Sequence, residues 1–471
     1  MRGKTHARIE GSLVMLGFGS IGRGTLPLIE RHLDFDRDRF TVIEPSAEFA
    51  HILDAHRIRH LQVALVPENY EAVLRGLFAG GRGMLVNLSV DVDSILLMQL
   101  CAELGVQYID TVIEPWPGFY FGSTLPNAER TNTPLREKVR ALGRAHVGGP
   151  TAISCCGANP GMVSWLLKEA LLRLASDTGH DAGAPRTRED WARLAMALGV
   201  KGVHVAERDT QVSARARPAG VFVNTWSVDG LLSEGYQPAE LGWGTHERRL
   251  PAGGHRFEQD YAIWIDRPGV DTRVRSWCPD IGGQFGYVVT HNEALSISDY
   301  YTVREDGQAI YRPTCHYAYH PCADAILSLH ETNGSGRLAE AQHILTAEEI
   351  TSGGDDLGVL LYGHAKGAMW YGSRLSIDEA RALAPYQNAT GMQVTSAVMA
   401  AMVWAAENPN AGWVEADEMD HARCLEVQRP YLGRIECHYT DWTPLQHRIN
   451  RFAEPDRDDQ DPWQFTNFLA V

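Results

Sequence analysis

The chain has few cysteines, no long apolar run and a deficit of positive charge over its 471 residues. Its 8 cysteines show no disulfide-scaffold spacing, so we expect reduced thiols and a cytoplasmic protein. No run of about 18 apolar residues occurs, and only residues 13–16 form an apolar run near the start, so we expect neither a membrane span nor a signal peptide. The formal net charge of −16 repels phosphates, which argues against nucleic acid or an anionic membrane as a partner.

The apolar content is sufficient for more than one folded core. Hydrophobic residues make up 44% of the chain, which also contains 12 tryptophans. In the first third, apolar runs typical of buried strands (12–16, 40–43, 84–88 and 107–112) alternate with helix-like stretches (21–32, 47–56 and 92–104). This alternation predicts an α/β fold with a Rossmann-like, doubly wound parallel sheet.

The pattern changes after residue 155. A helix is predicted over 161–176, and strands over 202–206, 220–228, 285–290 and 294–303, which indicates a second, α+β domain. We predict a first domain over 1–155 and a substrate or dimerisation domain over 156–390. A helix over 391–407 is expected to pack back onto the first domain, and residues 408–471 are expected to form a tail on the surface.

A glycine motif follows the first predicted strand. Gly17, Gly19 and Gly22 have the G-x-G-x-x-G spacing, with Ser20 and Ile21 between the second and third glycines. The first glycine permits a tight turn, the second lets backbone approach a pyrophosphate, and the third lets the following helix pack against the strand. The motif therefore predicts a dinucleotide site.

An acidic residue, Glu44, ends the next predicted strand. A carboxylate at this place accepts hydrogen bonds from the adenosine ribose hydroxyls and repels a 2′-phosphate, so the sequence favours NAD over NADP. The alternative is a glycine-rich turn with a surface glutamate beside it.

Polar residues also follow the third predicted strand. Because strand carboxyl ends face the ligand in an open α/β sheet, Asn87 and Ser89 are expected to contact the cofactor and Asp91 the reacting centre. The alternative for Ser89 or Asp91 is a helix N-cap.

Seven segments together resemble the bacterial homospermidine synthases, within the wider saccharopine-dehydrogenase-like group. They are GFGSIGRG at 17–24, NLSVD at 87–91, IEPW at 113–116, CCGANPGM at 155–162, NTWSV at 224–228, CHYAYHPC at 315–322 and YTDWTP at 439–444. The resemblance covers nearly the whole chain, and the later segments are far more specific than the glycine loop.

The resemblance implies a redox-neutral aminobutyl transfer. One putrescine is oxidised to an imine, a second putrescine displaces ammonia, and the bound NADH reduces the new imine to homospermidine. Spermidine can replace the first putrescine, in which case diaminopropane leaves. The resemblance also implies a homodimer and an amine-binding set of Glu114, Glu207, Trp226 and Glu234.

The residues themselves give partial support for that set. Period-two alternation puts Glu207 on the same strand face as Val203 and Val205, where a carboxylate is costly unless a cation pairs with it. Glu114 follows an apolar run at the ligand edge of the first sheet. The alternative for Glu207 is a solvated position at the end of the strand.

Three further residues are weaker candidates for amine contact. Trp226 offers a face for cation–π binding, although most tryptophans simply belong to the core. A bend is needed to turn Glu234 back to the pocket, and Asp324 follows the CHYAYHPC segment.

Hydride abstraction from an amine needs a proton acceptor. His291 is a candidate because the pKa of histidine lies nearest the working pH, with a capping or core histidine as the alternative. Asn159 is expected to contact the nicotinamide region of the cofactor and to contribute to catalysis together with Glu114 and Glu207. The neighbouring Cys155 and Cys156 are interpreted as core residues, since imine exchange needs no thiolate.

A zinc site at 315–322 is the main alternative use of that segment. The spacing of Cys315, His316, His320 and Cys322 is unlike the usual paired ligands, so no metal is expected. Two other functions remain open: a saccharopine-type dehydrogenase that releases NADH, and a non-catalytic NAD-binding sensor.

Overall fold

The computed structural model describes residues 4–121, 123–448 and 456–470. The contacts divide the chain into two compact units, each built from separate stretches of sequence. Unit 1 comprises Met1–Ser123, Leu135–Met162 and Asp378–Leu432, and unit 2 comprises Thr124–Pro134, Val163–Ile377 and Gly433–Val471.

The strands are numbered in chain order. They are β1 Ala7–Arg8, β2 Ser12–Leu16, β3 Leu33–Asp34, β4 Phe40–Ile43, β5 Arg59–Leu61, β6 Gly83–Asn87, β7 Gln107–Asp110, β8 Ala152–Ser154, β9 Gly202–Asp209, β10 Val212–Ser213, β11 Val221–Asn224, β12 Pro238–Gly242, β13 Gly254–Arg256, β14 Ala262–Pro268, β15 Arg273–Cys278, β16 Gly282–Tyr287, β17 Val303–Glu305, β18 Gln308–Tyr311, β19 Thr314–His320, β20 Ala341–Ile344, β21 Ile350–Ser352, β22 Gly354–His364, β23 Gly367–Ser376, β24 Trp413–Glu415, β25 Arg434–Thr440 and β26 Leu469–Ala470.

The α-helices are numbered in the same way. They are α1 Ser20–His32, α2 Ala50–His56, α3 Tyr70–Leu77, α4 Ser94–Leu104, α5 Asn132–Ala145, α6 Met162–Thr178, α7 Arg188–Ala197, α8 Val228–Tyr236, α9 Asn292–Tyr300, α10 Ala323–Ser335, α11 Ile377–Leu383, α12 Ala389–Glu407, α13 His421–Gln428 and α14 Phe465–Phe468.

Unit 1 contains a parallel sheet of seven strands in the order β24-β8-β7-β6-β2-β4-β5. The chain runs from β2 outward to β4 and β5, then returns to the other side of β2 to form β6, β7 and β8. This reversal beside β2 is the switch point at which doubly wound sheets bind ligands. The predicted Rossmann-like fold is confirmed.

Burial on both faces explains the apolar runs of unit 1. Every residue of β2, β4 and β6 is buried, as expected for parallel strands covered by helices. Helix α12 packs on α1, where the Gln387 side chain donates a hydrogen bond to the Gly24 carbonyl at 2.5 Å. In the described part of the chain, α12 alone is long and apolar enough to span a membrane, but 83% of its apolar window is buried inside the protein. It is therefore interpreted as a core helix.

Unit 2 contains a mixed sheet whose centre is β9. Strand β9 pairs in parallel with β19 on one side and antiparallel with β22 on the other. The register places Tyr319 and Leu357 directly beside Glu207, on either side of it. Helices α6–α10 alternate with these strands along the chain, so the predicted α+β character of the second domain is confirmed.

Residues 294–303 do not form the predicted strand. The helix α9 covers Asn292–Tyr300, and every one of its residues is buried. Alternation of Leu295 and Ile297 with serines imitates the period of a strand. A helix buried all round has no polar stripe to reveal its 3.6-residue period.

The compact units do not follow the predicted boundaries of 1–155, 156–390 and 408–471. Strand β24 pairs with β8 in unit 1, whereas β25 pairs with β23 in unit 2. The expected surface tail does not hold for Trp463, Phe465 and Phe468, which are buried in the main apolar cluster of unit 2. Residues 449–455 and 471 of that predicted tail lie outside the described residues.

Candidate active site

The glycine motif of unit 1 has three different steric environments. Gly17 has a φ of +84°, and a Cβ there would lie 2.7 Å from the Leu88 carbonyl oxygen. A Cβ at Gly22 would lie 2.4 Å from the Gly17 carbonyl oxygen, so the helix requires glycine at that position too. At Gly19 a Cβ would meet nothing within 4 Å among the described residues, which leaves open space beside the turn. Ser20 and Ile21 form the first turn of α1.

Glu44 follows β4 directly and is tied to the glycine turn. Its Oε2 atom accepts a hydrogen bond from the Phe18 backbone N–H at 2.8 Å, and its Oε1 atom accepts one from the Ser46 N–H at 2.8 Å. The carboxylate is therefore fixed next to the residue between Gly17 and Gly19, and it stays half-buried.

Asn87 and Ser89 lie at the carboxyl end of β6, as the sequence indicates. The Asn87 Oδ1 atom accepts hydrogen bonds from the Ser89 hydroxyl at 2.6 Å and from the Ser89 N–H at 3.2 Å. Asp91 is exposed and has a φ of +61°. The N-cap of α4 is Asp93, whose side chain accepts from the Leu96 N–H at 2.9 Å, so neither Ser89 nor Asp91 caps that helix.

Asp110, which the sequence analysis missed, ends β7 at the same edge of the sheet. It is 1% exposed and accepts hydrogen bonds from the Cys155 N–H at 2.6 Å and from the Tyr108 hydroxyl at 2.8 Å. Burial raises the pKa of Asp110 to about 7, and these donors only partly oppose it. The sequence does contain a signal for Asp110, because this acid ends an apolar run in the same way as Glu44.

Glu114 and Asn159 lie on the loops that follow β7 and β8. Glu114 is 5% exposed, and its backbone exchanges hydrogen bonds with Ser94 at the start of α4. Asn159 is half-buried two residues before Gly161, in the turn that leads to α6. Burial raises the pKa of both Cys155 and Cys156, which keeps these thiols protonated and agrees with their interpretation as core residues.

In unit 2, Glu207 is buried in the middle of the mixed sheet. It is 3% exposed, and its Oε2 atom accepts a hydrogen bond from the Tyr317 hydroxyl of β19. Burial raises the pKa of Glu207, the Tyr317 hydrogen bond lowers it, and the charge of Asp209 raises it further. The solvated strand-end alternative is therefore wrong.

Two further carboxyl groups share the face of Glu207. Asp209 lies two residues further along β9, and Asp355 is the cross-strand partner of Asp209 on β22. Asp355 also contacts Glu207 through a side-chain hydrogen bond. All three are at most 3% exposed. The sequence analysis missed both aspartates, although the period-two argument used for Glu207 extends to Asp209.

His291 lies between two carboxylates. Its Nε2 atom is 2.9 Å from Glu234 Oε2, and its Nδ1 atom is 3.3 Å from Glu293 Oε2. Burial lowers the pKa of His291, but the charges of Glu234 and Glu293 outweigh it and hold the pKa well above the usual value. The surroundings of His291 therefore favour its protonated form, which is the opposite of the form that a proton acceptor needs.

Glu234 reaches His291 from the last turns of α8, so a helix and not a bend directs it. Trp226 lies between β11 and α8, where its Nε1 atom donates to the Tyr319 hydroxyl at 2.8 Å. The Tyr317 ring stacks on Tyr319 and contacts the His291 ring, with centroid distances of 5.6 and 4.6 Å. Trp226 is half-buried, so it is not a purely internal core residue.

The Cys and His side chains of segment 315–322 point in different directions. Alternation along β19 turns Cys315, Tyr317 and Tyr319 to the face of Glu207, and His316 to the opposite face. His320 instead contacts the Phe285 carbonyl, with 2.8 Å between Nδ1 and O. In the described ranges, no group of three or more His, Cys, Asp or Glu side chains has a geometry for holding a metal ion.

The predicted site residues thus fall into two sets. Unit 1 brings together the glycine turn, Glu44, Asn87 and Ser89, to which the structure adds Asp110, and unit 2 brings together Glu207, Trp226, Glu234 and His291. Asp324 lies in the first turn of α10, half-buried, where burial raises its pKa and Arg217 opposes the shift.

Two protein-family profiles match the chain over most of its length. Residues 13–153 match the saccharopine dehydrogenase NADP binding domain, and residues 157–441 match the saccharopine dehydrogenase C-terminal domain. A solved saccharopine dehydrogenase from Saccharomyces cerevisiae is 10% identical and covers 91% of this chain and 100% of its own, with a TM-score of 0.52. That likeness shows a shared fold.

Nearer relatives share one name. The chain is 59% identical to homospermidine synthase of Blastochloris viridis over 99% of this chain and 98% of that protein. It is 57% identical to the Mesorhizobium japonicum homospermidine synthase over 99% of this chain and 97% of that protein. The crystal structure of homospermidine synthase from Legionella pneumophila in complex with NAD is 38% identical and covers 98% of both chains, with a TM-score of 0.90. The chain therefore belongs to the homospermidine synthase family, within the saccharopine-dehydrogenase-like enzymes.

Proposed function

We propose that this chain forms homospermidine from two molecules of putrescine in a redox-neutral aminobutyl transfer that uses NAD. The observation that carries the proposal is the stack of three buried carboxyl groups, Glu207, Asp209 and Asp355, on one face of the unit 2 sheet. Buried acids at such spacing take up protons unless a positive charge lies beside them, and a diamine at neutral pH supplies two positive charges.

Unit 1 fits NAD at its glycine turn. The open space beside Gly19 admits a pyrophosphate, and the N terminus of α1 favours its negative charge. Glu44 is held by two backbone N–H groups where it can accept hydrogen bonds from ribose hydroxyls, and its charge disfavours a 2′-phosphate. When bound, NAD supplies a hydride acceptor for the amine and a hydride donor for the new imine. The NAD complex of the Legionella pneumophila enzyme supports this assignment.

Unit 2 supplies the diamine-binding groups. We assign one ammonium to the carboxyl groups around Glu207 and the face of Trp226, because a cation over an indole face is stabilised by about 2 kcal/mol when it is desolvated. The Tyr319 hydroxyl fixes the plane of that indole through Trp226 Nε1. Glu114 and Asp91 of unit 1 and Asp324 of unit 2 are proposed as further amine contacts, and Asn159 as a contact to the nicotinamide region.

The amine that loses hydride must first lose its proton. An amine pKa near 10.4 lies about 3.4 units above pH 7, so the neutral form costs about 4.6 kcal/mol. We assign the proton acceptor to Glu207, because burial raises its pKa towards neutrality and Tyr317 holds one of its oxygens in place. His291 then acts as a fixed positive charge between Glu234 and Glu293.

The cellular setting and the range of substrates extend the proposal. All eight cysteines are free thiols, which fits a reducing cytoplasm. We propose that spermidine can replace the first putrescine and that the enzyme works as a homodimer, both on the family resemblance.

One mixture separates the proposal from its alternatives. Protein, NAD and putrescine are incubated, and homospermidine, ammonia and NADH are measured together. Homospermidine and ammonia in equal amounts without NADH accumulation support the transfer reaction. Stoichiometric NADH in solution would indicate a saccharopine-type dehydrogenase, and no turnover despite NAD binding would indicate a sensor.

Replacement of Trp226 tests the cation–π assignment. Trp226→Phe keeps a π face but loses the hydrogen bond to Tyr319, so we expect a modest rise in the KM for putrescine. Trp226→Ala removes both, and we expect a rise about 10–30-fold larger, in line with the free energy of a desolvated cation–π contact. Steady-state kinetics measures both variants. Equal losses in the two would mean that Trp226 acts through packing shape.

A further inference from the structure

A chain of buried hydrogen bonds connects two strand ends in unit 1. The Ser89 hydroxyl donates to Asn87 Oδ1 at 2.6 Å, and Asn87 Nδ2 donates to the Tyr108 oxygen at 3.2 Å. The Tyr108 hydroxyl in turn donates to Asp110 Oδ2 at 2.8 Å. Asn87, Tyr108 and Asp110 are each at most 2% exposed, so water does not substitute for these partners.

The hydrogen bonds of this series all run in one direction from donor to acceptor. The Tyr108 hydroxyl has a single proton, and giving it to the Asp110 carboxylate leaves the oxygen free to accept from Asn87 Nδ2. This bond and the Ser89 backbone N–H, which donates to Asn87 Oδ1 at 3.2 Å, together orient the Asn87 amide with Oδ1 towards Ser89, so the Ser89 hydroxyl proton points inward. The Ser89 oxygen then presents only lone pairs on its outer side.

Ser89 borders the turn that the proposed function assigns to NAD. A Cβ built on Gly17 would lie 2.9 Å from the Ser89 nitrogen, so the two backbones are in close contact. Ser89 itself is half-buried, unlike the three residues behind it. Of the four hydrogen-bonded residues, Ser89 is therefore the one most open to a ligand at the turn.

Asp110 also holds a strained turn at the end of β8. Its Oδ1 atom accepts from the Cys155 N–H at 2.6 Å, and its carbonyl accepts from the Cys156 N–H at 2.8 Å. Cys155 has a φ of +57°, a region that residues with side chains seldom adopt. The same carboxylate thus organises the ends of three neighbouring strands, β6, β7 and β8.

We propose that Asp110 is a positioning residue for the cofactor, which sets the direction of the Tyr108–Asn87–Ser89 hydrogen bonds so that Ser89 accepts a hydrogen bond from NAD. The inference rests on the proposed use of NAD and adds a residue that acts without touching it. A ribose hydroxyl or the nicotinamide amide supplies the matching donor.

Protonation of Asp110 disrupts this series of hydrogen bonds. A protonated carboxyl donates to Tyr108, whose own proton must then turn towards Asn87 or Ser94. The Tyr108 oxygen then no longer holds Asn87 Nδ2, so the Asn87 amide, which the Ser89 N–H also contacts, is less firmly fixed and Ser89 is a poorer acceptor. The groups that face Asp110 are Tyr108 on its own strand, Ser94 from α4, and Cys155 and Cys156 from the β8 side. Burial is the main reason why its pKa rises to about 7.

The test is the dissociation constant of NAD between pH 6 and pH 8, measured by calorimetry without diamine. In the unchanged protein we expect NAD to bind several-fold more weakly at pH 6 than at pH 8, because Asp110 gains a proton. Asp110→Asn cannot accept from both Cys155 and Tyr108. We expect this variant to bind NAD about tenfold more weakly at pH 8, which corresponds to the loss of about one hydrogen bond. Its dissociation constant should not depend on pH, because asparagine does not titrate.

Tyr108→Phe provides a second, independent variant, which keeps the carboxylate but breaks the chain. We expect the same loss of affinity and the same flat pH profile, and no further loss when both changes are combined, because they act through one path. The Tyr108→Phe result also decides the matter if Asp110→Asn fails to fold.

Glu240→Gln is the matched control. Glu240 is likewise buried, has a pKa raised to about 7 by burial, and accepts hydrogen bonds from the Asn132 and Thr133 N–H groups at 2.8 and 2.9 Å in unit 2. We expect the NAD affinity and the pH profile of Glu240→Gln to match those of the unchanged protein.

Unchanged affinity and pH profile in Asp110→Asn and Tyr108→Phe would overturn the inference while the proposed function stands. Absence of NAD binding by the unchanged protein would overturn both.

Discussion

Glu207→Gln is expected to lower kcat for homospermidine formation by about 10²–10⁴-fold, the usual contribution of a positioned acid or base. Glutamine keeps the size of the side chain and can still accept from the Tyr317 hydroxyl, so the sheet is preserved. It has no charge to hold an ammonium and cannot accept the proton that the amine must lose. The loss should appear in kcat and in kcat/KM for putrescine, whereas the dissociation constant of NAD stays unchanged.

A second tyrosine-bonded glutamate makes the comparison specific. Glu169 of unit 2 accepts from the Tyr371 hydroxyl at 2.9 Å, as Glu207 accepts from Tyr317. Glu169→Gln should turn over at close to the normal rate, since Glu169 lies on α6 outside the carboxyl stack. Normal rates for Glu207→Gln, or equal losses in the two variants, would remove Glu207 from the proposed mechanism.

The pH profile provides an independent check on Glu207. Because burial and Asp209 raise its pKa, the acceptor form grows as the pH rises from mildly acidic to neutral values. We therefore expect kcat to rise over that range in the unchanged protein and to lose this limb in Glu207→Gln. A profile with the same acidic limb in both proteins would assign the proton transfer to another group.

Local patterns in the sequence were sufficient for the strand, turn and helix that contain the glycine motif. The strands β2 and β4 have the predicted bounds, and the roles of Gly17 and Gly22 follow from contacts within about ten residues or with the adjacent strand. Such features depend on the short-range geometry of a strand, a turn and a helix, which the sequence specifies directly. Glu207 was found for the same reason, because its phase on β9 is local.

The neighbours of Glu207 depend on pairing that no local pattern contains. Tyr317 comes from β19, 110 positions away along the chain, and Asp355 comes from β22. Their approach is decided by the strand order of the mixed sheet. The carboxylate partner of His291 was missed for this reason, since Glu234 reaches it from a helix 57 positions earlier. A titratable group can be placed from sequence, but its protonation depends on partners that only the fold brings together.

His316→Phe is expected to make the protein more resistant to acid. His204 and His316 are paired across β9 and β19, have ring centroids 4.2 Å apart, and are completely buried. Among the described residues, none donates to or accepts from the ring nitrogens of either histidine. Burial lowers the pKa of His316 to about 3, so the folded protein keeps it neutral, whereas the unfolded chain protonates it below about pH 6.5.

The direction of the effect follows from proton linkage. Below pH 6.5 the unfolded state binds a proton that the folded state refuses, so each pH unit of acidification costs about 1.4 kcal/mol of stability per histidine. Phenylalanine does not titrate and matches the aromatic surroundings of Phe465 and Phe468. At pH 4.5 the variant should be more stable by about 2.7 kcal/mol, or roughly 5–10 °C in melting temperature, with a small difference at pH 7.5.

Unfolding followed by tryptophan fluorescence from pH 7.5 to pH 4.5 measures this difference, since Trp370, Trp442 and Trp463 lie in the same apolar cluster. Buried carboxyl groups such as Glu247, whose pKa is raised to about 7 by burial, make the folded protein more stable in acid, which opposes the effect of His316. Comparing two proteins that differ only at position 316 cancels this contribution. His51→Asn, at an exposed position on α2, should leave the acid sensitivity unchanged. A constant stability difference between His316→Phe and the unchanged protein across this pH range would mean that His316 is not neutral in the folded state, and that the buried pair takes up protons without unfolding.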